Sequence, residues 1–172
     1  VMDYAILVIS GTDGIQGHTR TLWQLLARHQ IPVFLFVNKM DLPGPGRDAL
    51  LAALQRLDSR CVDFTQPDER LQEALALCDD KALAEYLDSG AVLPRTLTQL
   101  IARRQVFPCY FGAALSGQGV PALLEGLETL TRCPAWPSSF GARVYKISRD
   151  KQGVRLTHLK LTGGSLRVKA TL

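Results

Sequence analysis

A chain of 172 residues that is 47% hydrophobic and 21% charged has apolar material for the core of one domain, or of one domain and part of another, which excludes disorder as the default. Its apolar runs, such as residues 5–9 and 33–37, are far too short to cross a bilayer, and no basic-then-apolar leader opens the chain. The net charge is +4, from 20 Lys and Arg against 16 Asp and Glu; the cations are scattered, with Arg103 and Arg104 adjacent, which describes a solvated surface better than a nucleic-acid stripe.

Three short apolar runs rich in β-branched and aromatic residues punctuate the first part, at 4–9, 33–37 and 106–111. Each is nearly continuous, as expected of parallel strands covered on both faces. Residues 19–29 lie between the first two, with Leu22, Trp23, Leu25 and Leu26 at helical spacing. A Pro43-Gly44-Pro45-Gly46 turn follows the second run, then Leu50, Leu51, Leu54 and Leu57 on one helical face. The interval 60–105 breaks the alternation. It carries helical stretches at about 67–77, 79–88 and 93–104 and no convincing strand, so it reads as a helical insertion in which Leu71, Leu75, Leu83, Leu87, Leu97 and Leu100 face the parent domain. Asp79-Asp80 reads as helix-start charge. After the third run, residues 119–132 repeat the helical pattern through Val120, Leu123, Leu124, Leu127 and Leu130.

Pro134-Ala135-Trp136-Pro137 looks like a linker; Trp136 either pins it or covers a hydrophobic edge. Beyond it the period becomes two. Strands are expected at 143–148 and 154–161 around a turn at 149–153, and Gly163-Gly164 suggests another turn before residues 165–168. The expected architecture is therefore an α/β domain over residues 1–135, a three-stranded parallel sheet with flanking helices and a helical insertion, then a linker and the first antiparallel strands of a β-barrel over 136–172.

The chemistry concentrates at Asn38-Lys39-Met40-Asp41, directly after the second strand. In open α/β sheets ligands bind beyond the carboxyl ends of the strands, where this tetrapeptide falls. Asp41 suits guanine: its carboxylate can accept from N1–H and from the N2 amino group, while Asn38 can reach N7 and brace the neighbouring loop and the Lys39 stem covers a face of the base. Adenine lacks both donors and would leave the carboxylate unpaired. The bland alternative is a polar strand-end turn with Asp41 capping the next helix. A second element, Gly112-Ala113-Ala114-Leu115-Ser116-Gly117-Gln118-Gly119, follows the next strand and can bring a backbone N–H close to guanine O6.

Other constellations are weak. Cys61, Cys78, Cys109 and Cys133 are far apart and form no C-x-x-C pair, which leaves reduced structural thiols. His29 and His158 have no ligand-spaced partners, and no metal site is expected. Ser10, Ser116 and Ser165 lack a nucleophile-elbow context. Trp23, Phe34 and Phe36 fall on core-facing patterns, and His18 reads as a surface residue near a helix start.

With Asp3-Tyr4-Ala5-Ile6-Leu7-Val8-Ile9-Ser10-Gly11-Thr12-Asp13-Gly14-Ile15-Gln16, Asn38-Lys39-Met40-Asp41, the loop at 112–119 and a barrel start at 141–146, the chain resembles the translational GTPases, specifically elongation factor G and its relatives the ribosomal-protection tetracycline-resistance proteins. The resemblance runs end to end. It implies a partial P-loop-GTPase-like fold, GTP or GDP as ligand, Asn38, Lys39 and Asp41 as the guanine-specificity element, and Ala113, Ala114 and Leu115 as the supporting loop. That loop normally reads Ser-Ala-Lys or Ser-Ala-Leu, so Ala113 stands in place of a serine. The short interval between Asp41 and Gly112 is more like the tetracycline-resistance branch than elongation factor G proper.

The resemblance also marks what is missing. There is no G-x-x-x-x-G-K-[ST] phosphate cradle and no D-x-x-G around the first strand; Asp13 and Gly17 are one residue too far apart for it. The Mg²⁺ ligands of the family's full-length proteins are therefore absent, no catalytic residue is assigned, and the polypeptide alone is expected to leave GTP intact and to bind GDP weakly. The expectation is a fragment of a cytoplasmic, ribosome-associated GTPase with no membrane partner, prone to self-association through truncated sheet edges. The competing expectations are a non-catalytic ribosome- or RNA-binding module and a plain structural domain.

Overall fold

In the computed structural model, residues 2–65 and 68–170 are described, and they divide into two compact units, residues 2–132 and 133–170. The first unit runs β1 (Ala5–Ser10), α1 (Gly17–Arg28), β2 (Val33–Asn38), α2 (Arg47–Leu57), β3 (Cys61–Asp63), α3 (Glu69–Ala76), α4 (Asp80–Ser89), α5 (Pro94–Ala102), β4 (Phe107–Phe111) and α6 (Val120–Leu130). Its strands form one parallel sheet in the order β1-β2-β4-β3.

The sheet has four strands where three were expected. Cys61, Val62 and Asp63 pair with Phe107, Pro108 and Cys109 inside the interval read as wholly helical; three residues are too few to show a period against the polar residues beside them. The expected helix at 67–77 begins at Glu69, and Pro67 lies outside the described residues.

Central strands β2 and β4 are buried throughout their apolar lengths, as continuous runs predict. On one face Leu7, Ile9, Val33, Leu35, Val37, Phe107 and Cys109 pack with Trp23, Leu50 and Leu54 of α1 and α2. On the other, Phe34, Phe36, Val62 and Tyr110 pack with Leu71, Leu75, Leu97, Leu100 and Leu123 of the later helices. Trp23 meets Phe107 edge-on at 4.7 Å between centroids. Within the insertion Leu83 is 39% and Leu87 76% exposed, contrary to expectation, and Ala82 is the buried residue of α4. Asp79 caps α4 by accepting from Lys81 N and Ala82 N, which is the helix-start role expected of it.

Strand β1 is an edge. Leu7 and Ile9 are covered, but Ile6 is 46% and Val8 59% exposed, so only one of its faces is buried.

In the second unit β5 (Gly141–Arg149) and β6 (Arg155–Gly163) form an antiparallel hairpin. Asp150 organises its turn, its carboxylate accepting from Gln152 N and Val154 N, and Gly153 takes a φ of 83°. Lys160 Nζ lies 5.8 Å from the Trp136 ring centroid, and Ser148 Oγ is 2.7 Å from His158 Nε2. Residues 165–168 form no strand, correcting the expectation of a third. The described residues hold a two-stranded sheet there and no closed barrel.

Candidate functional site

Parallel register brings three strand ends level. Ser10 pairs with Asn38 and Val37 with Phe111, which places Gly112 beside Asn38 at the carboxyl edge. Backbone bonds continue past the strands: Gly11 N donates to Asn38 O at 2.7 Å, Gly112 N to Val37 O at 2.9 Å, and Met40 N to Gly112 O at 3.0 Å. The turn after β2 is thereby tied to the loops that follow β1 and β4.

Asn38 is the knot. Its side-chain Oδ1 accepts from Lys39 N at 2.8 Å and from Ala114 N at 2.8 Å, a contact spanning 76 residues of sequence. Lys39 adopts φ 66°, a left-handed conformation that costs a lysine about 1 kcal/mol and persists where surroundings enforce it. Lys39 and Asp41 are exposed, Ala113 is buried, and Ala114 and Leu115 are exposed.

All six residues singled out from the sequence therefore lie on two adjoining loops, with Asn38 bridging them. One detail departs from the simplest expectation: the Ala114 N–H, one of the loop amides that could meet guanine O6, donates to Asn38. The missing serine at position 113 is compensated by backbone. Ala113 N donates to Gln118 O at 3.0 Å, Gln118 N returns a bond to Ala113 O at 3.1 Å, and Ser116 Oγ donates to the same carbonyl. Glycine at 112 is obligatory, because a Cβ there would stand 2.2 Å from Gln118 O.

Sequence reasoning missed the β1 end. A Cβ on Gly11 would meet Met40 Sδ at 2.9 Å and Asn38 O at 3.0 Å, and one on Gly44 would meet Thr12 Cα at 3.3 Å. The turn after β1 and the 40s loop thus approach closely. Ser10 Oγ and Thr12 Oγ1 are 2.8 Å apart. The Ser10 hydroxyl foremost, with the Thr12 hydroxyl and the Lys39 charge, outweighs desolvation and holds the Asp13 carboxyl below its ordinary range.

The rim is open, and no group of three or more His, Cys, Asp or Glu among the described residues could hold a metal ion. A cleft of about 280 Å³ opens elsewhere, between α2, β3 and α3, where Arg47 pairs with Asp63 at 2.5 Å. With both its charges matched to each other, that pair leaves little for a ligand, and the strand-end loops carry the better donor set. His18 is exposed near the start of α1, as expected. No described helix is long and apolar enough to cross a membrane.

Comparison with known proteins bears on the family and the fold. The family described as Elongation factor Tu GTP binding domain matches residues 1–132. The oxytetracycline resistance protein of Streptomyces rimosus is 33% identical over 195 residues, covering 96% of this chain and 29% of that protein. Tetracycline resistance protein TetM of Streptomyces lividans is 32% identical over 201 residues, covering 100% and 31%, and TetW of Butyrivibrio fibrisolvens is 29% identical over 192 residues, covering 100% and 30%. A crystal structure of a Thermus thermophilus protein superposes with a TM-score of 0.77 at 21% identity, over 94% of this chain and 32% of that one, and supports the fold. The chain thus spans about 30% of the length of the curated relatives it matches. By the match over residues 1–132 it belongs to the elongation factor Tu GTP-binding domain family, and it is related in sequence to the tetracycline-resistance proteins.

Proposed function

We propose that the loops joined at Asn38 form the guanine-base site of a translational GTPase of the ribosomal-protection type, of which this chain supplies the base-selecting part of the GTP-binding domain and the start of the following β-domain. The observation that carries the reading is the Asn38 Oδ1 bond to Ala114 N, which holds two loops 76 residues apart in one slot. With Oδ1 engaged twice, Asn38 offers its Nδ2 donor to the N7 acceptor of a base. Asp41, exposed at the rim, is the acceptor for N1–H and the N2 amino group, and the Lys39 stem supplies an apolar wall. The O6 contact shares the Ala114 N–H with Asn38 or takes it over when the base enters.

The phosphate and magnesium chemistry of the whole enzyme belongs to residues outside this sequence, so the chain alone selects the base without turning over GTP. In the whole protein the partners are the ribosome and its RNA, in the cytoplasm, and the activity is GTP hydrolysis coupled to dislodging tetracycline from the ribosome. The open edge of β1, apolar from Ala5 to Ile9 and uncharged through Ser10, is the place where a further strand or a second copy pairs; sedimentation that stays monomeric at high concentration rejects the second copy.

Calorimetric titration of this chain with GDP and with ADP tests the function. Weak binding that favours GDP supports it; equal heats for the two nucleotides, or release of phosphate from GTP above background, reject it in this form.

A further inference from the structure

A second tie joins the two loops from behind. The ladder between β3 and β4 ends at Asp63 and Cys109, with Phe64 N donating to Cys109 O at 2.8 Å just beyond it. The next amide on that side of β4 is nonetheless held: Phe111 N donates to Thr65 Oγ1 at 3.1 Å, while Gly112 N turns the other way, to Val37 O of β2. Thr65 is in turn fixed by Asp63, whose Oδ1 accepts from Thr65 N at 2.9 Å and whose Oδ2 accepts from Arg47 Nε at 2.5 Å. The Arg47 guanidinium also lies over the Phe111 ring, 5.5 Å from its centroid. Arg47 is the first residue of α2, directly after the loop that carries Asp41, and Phe111 is the last residue of β4, directly before Gly112. This chain of contacts connects the exit of the Asp41 loop to the entry of the Ala114 loop.

We propose that Arg47, Asp63 and Thr65 are positioning residues for the base site: they fix the Phe111–Gly112 step against the start of α2, so that the Asp41 loop and the Ala114 loop keep the spacing a base needs. The inference rests on the guanine reading of that slot and adds a support outside the two loops. Arg47 opens a helix, Asp63 ends a strand and Thr65 follows it; all three act through Phe111 and the end of the 41–46 segment. Asn38 ties the loops to each other, and this clamp sets where each begins or ends. Sheet stability alone does not account for it. The Thr65 hydroxyl takes over as acceptor where the ladder has stopped, at the step whose displacement would carry Gly112 O away from Met40 N.

Amide-by-amide hydrogen exchange of the nucleotide-free chain, with GDP and ADP titrations, tests the clamp in Thr65→Val, Thr65→Ser and Arg47→Met. Valine keeps the shape at 65 without the acceptor, serine keeps the acceptor, and methionine keeps an unbranched stem at 47 without the donors. Thr65→Val and Arg47→Met should speed exchange at Phe111 and Ala114 and leave Phe107, at the start of β4, unchanged. Both should weaken GDP about threefold, less than one full hydrogen bond is worth, and leave ADP where it was. Thr65→Ser should match the unmodified chain in both measurements. Unchanged exchange at Ala114 in either Thr65→Val or Arg47→Met overturns the proposal, as does GDP affinity equal to that of the unmodified chain, or a Thr65→Ser that behaves as Thr65→Val. Exchange that rises alike at Ala114 and Phe107 makes the contacts merely structural and also overturns it. If the unmodified chain fails to favour GDP over ADP, the functional reading falls, while exchange at Ala114 still decides whether the clamp holds the loops.

Discussion

The two ends of the parallel sheet serve different purposes. At the amino end side chains lock together: Arg104 is 5% exposed, donates to the Ile31 carbonyl, and lies 4.8 Å from the Phe107 ring centroid and 5.5 Å from that of Trp23. Arg60 lies 5.2 Å from the same Phe107 ring, donates to Arg104 O, and pairs with Asp58 at 2.8 Å. At the carboxyl end Arg47 pairs with Asp63 and lies 5.5 Å from the Phe111 ring centroid, but around Asn38 the contacts are mostly backbone to backbone, through glycines and one asparagine side chain, and Lys39 and Asp41 are exposed. The polar groups of the amino end are matched to one another; at the carboxyl end the turn after β2 leaves Lys39 and Asp41 exposed. A fold that concentrates packing at one end can tolerate at the other a left-handed lysine and loops whose bonds a ligand can rearrange.

The contrast breaks most visibly at Phe107, which is fully buried and serves both guanidiniums and Trp23. Phe107→Ala should cost about 3–5 kcal/mol in chemical denaturation; a loss below about 1 kcal/mol would mean that the amino end is not the stabilising one. Asn38→Ala should cost about 1 kcal/mol, since it leaves Lys39 N and Ala114 N to water. It should also raise hydrogen exchange at Ala114 and leave exchange at Phe107 unchanged; faster exchange at both amides would show the two ends to be coupled. A smaller effect comes from acid. Burial pushes the Asp58 carboxyl up, but the Arg60 hydrogen bonds and charge more than offset it, with Arg104 adding a little, so its pKa is lowered in the folded state. The resulting stability is present above the ordinary carboxylate range and is lost as pH falls through the lowered folded value. Asp58→Asn should therefore flatten the acid limb of a stability-against-pH curve; an unchanged limb would show that Arg60 gains nothing from its partner.

What the sequence made legible follows the same division. The core strands stood out because β2 and β4 are covered on both faces and read as unbroken apolar runs. The tetrapeptide proposed to select the base stood out because specific chemistry needs specific residues at a strand end. β3 was invisible, its three residues depending on β4 for their extended form. Leu83 and Leu87 misled because helical spacing names a face without saying what lies against it, and α4 turns Ala82 inward instead. Arg104 looked like half of a surface pair with Arg103, yet the chain buries one and exposes the other. The close approach of Gly11 to Met40 and Asn38 depends on a parallel register that sets Ser10 beside Asn38, residues 28 apart, and no local pattern reports it.

The central claim is that Asp41 reads the amino edge of guanine, and titration of Asp41→Asn with GDP, ADP and xanthosine diphosphate tests it most directly. An amide at this position can donate to the C2 carbonyl of xanthine and no longer suits the N2 amino group as the carboxylate does. The account predicts that the unmodified chain favours GDP, that Asp41→Asn weakens GDP by about tenfold or more and prefers the xanthine nucleotide, and that the melting temperature of the free protein does not move. GDP binding that is indifferent to this substitution, or absent at millimolar nucleotide, would contradict it.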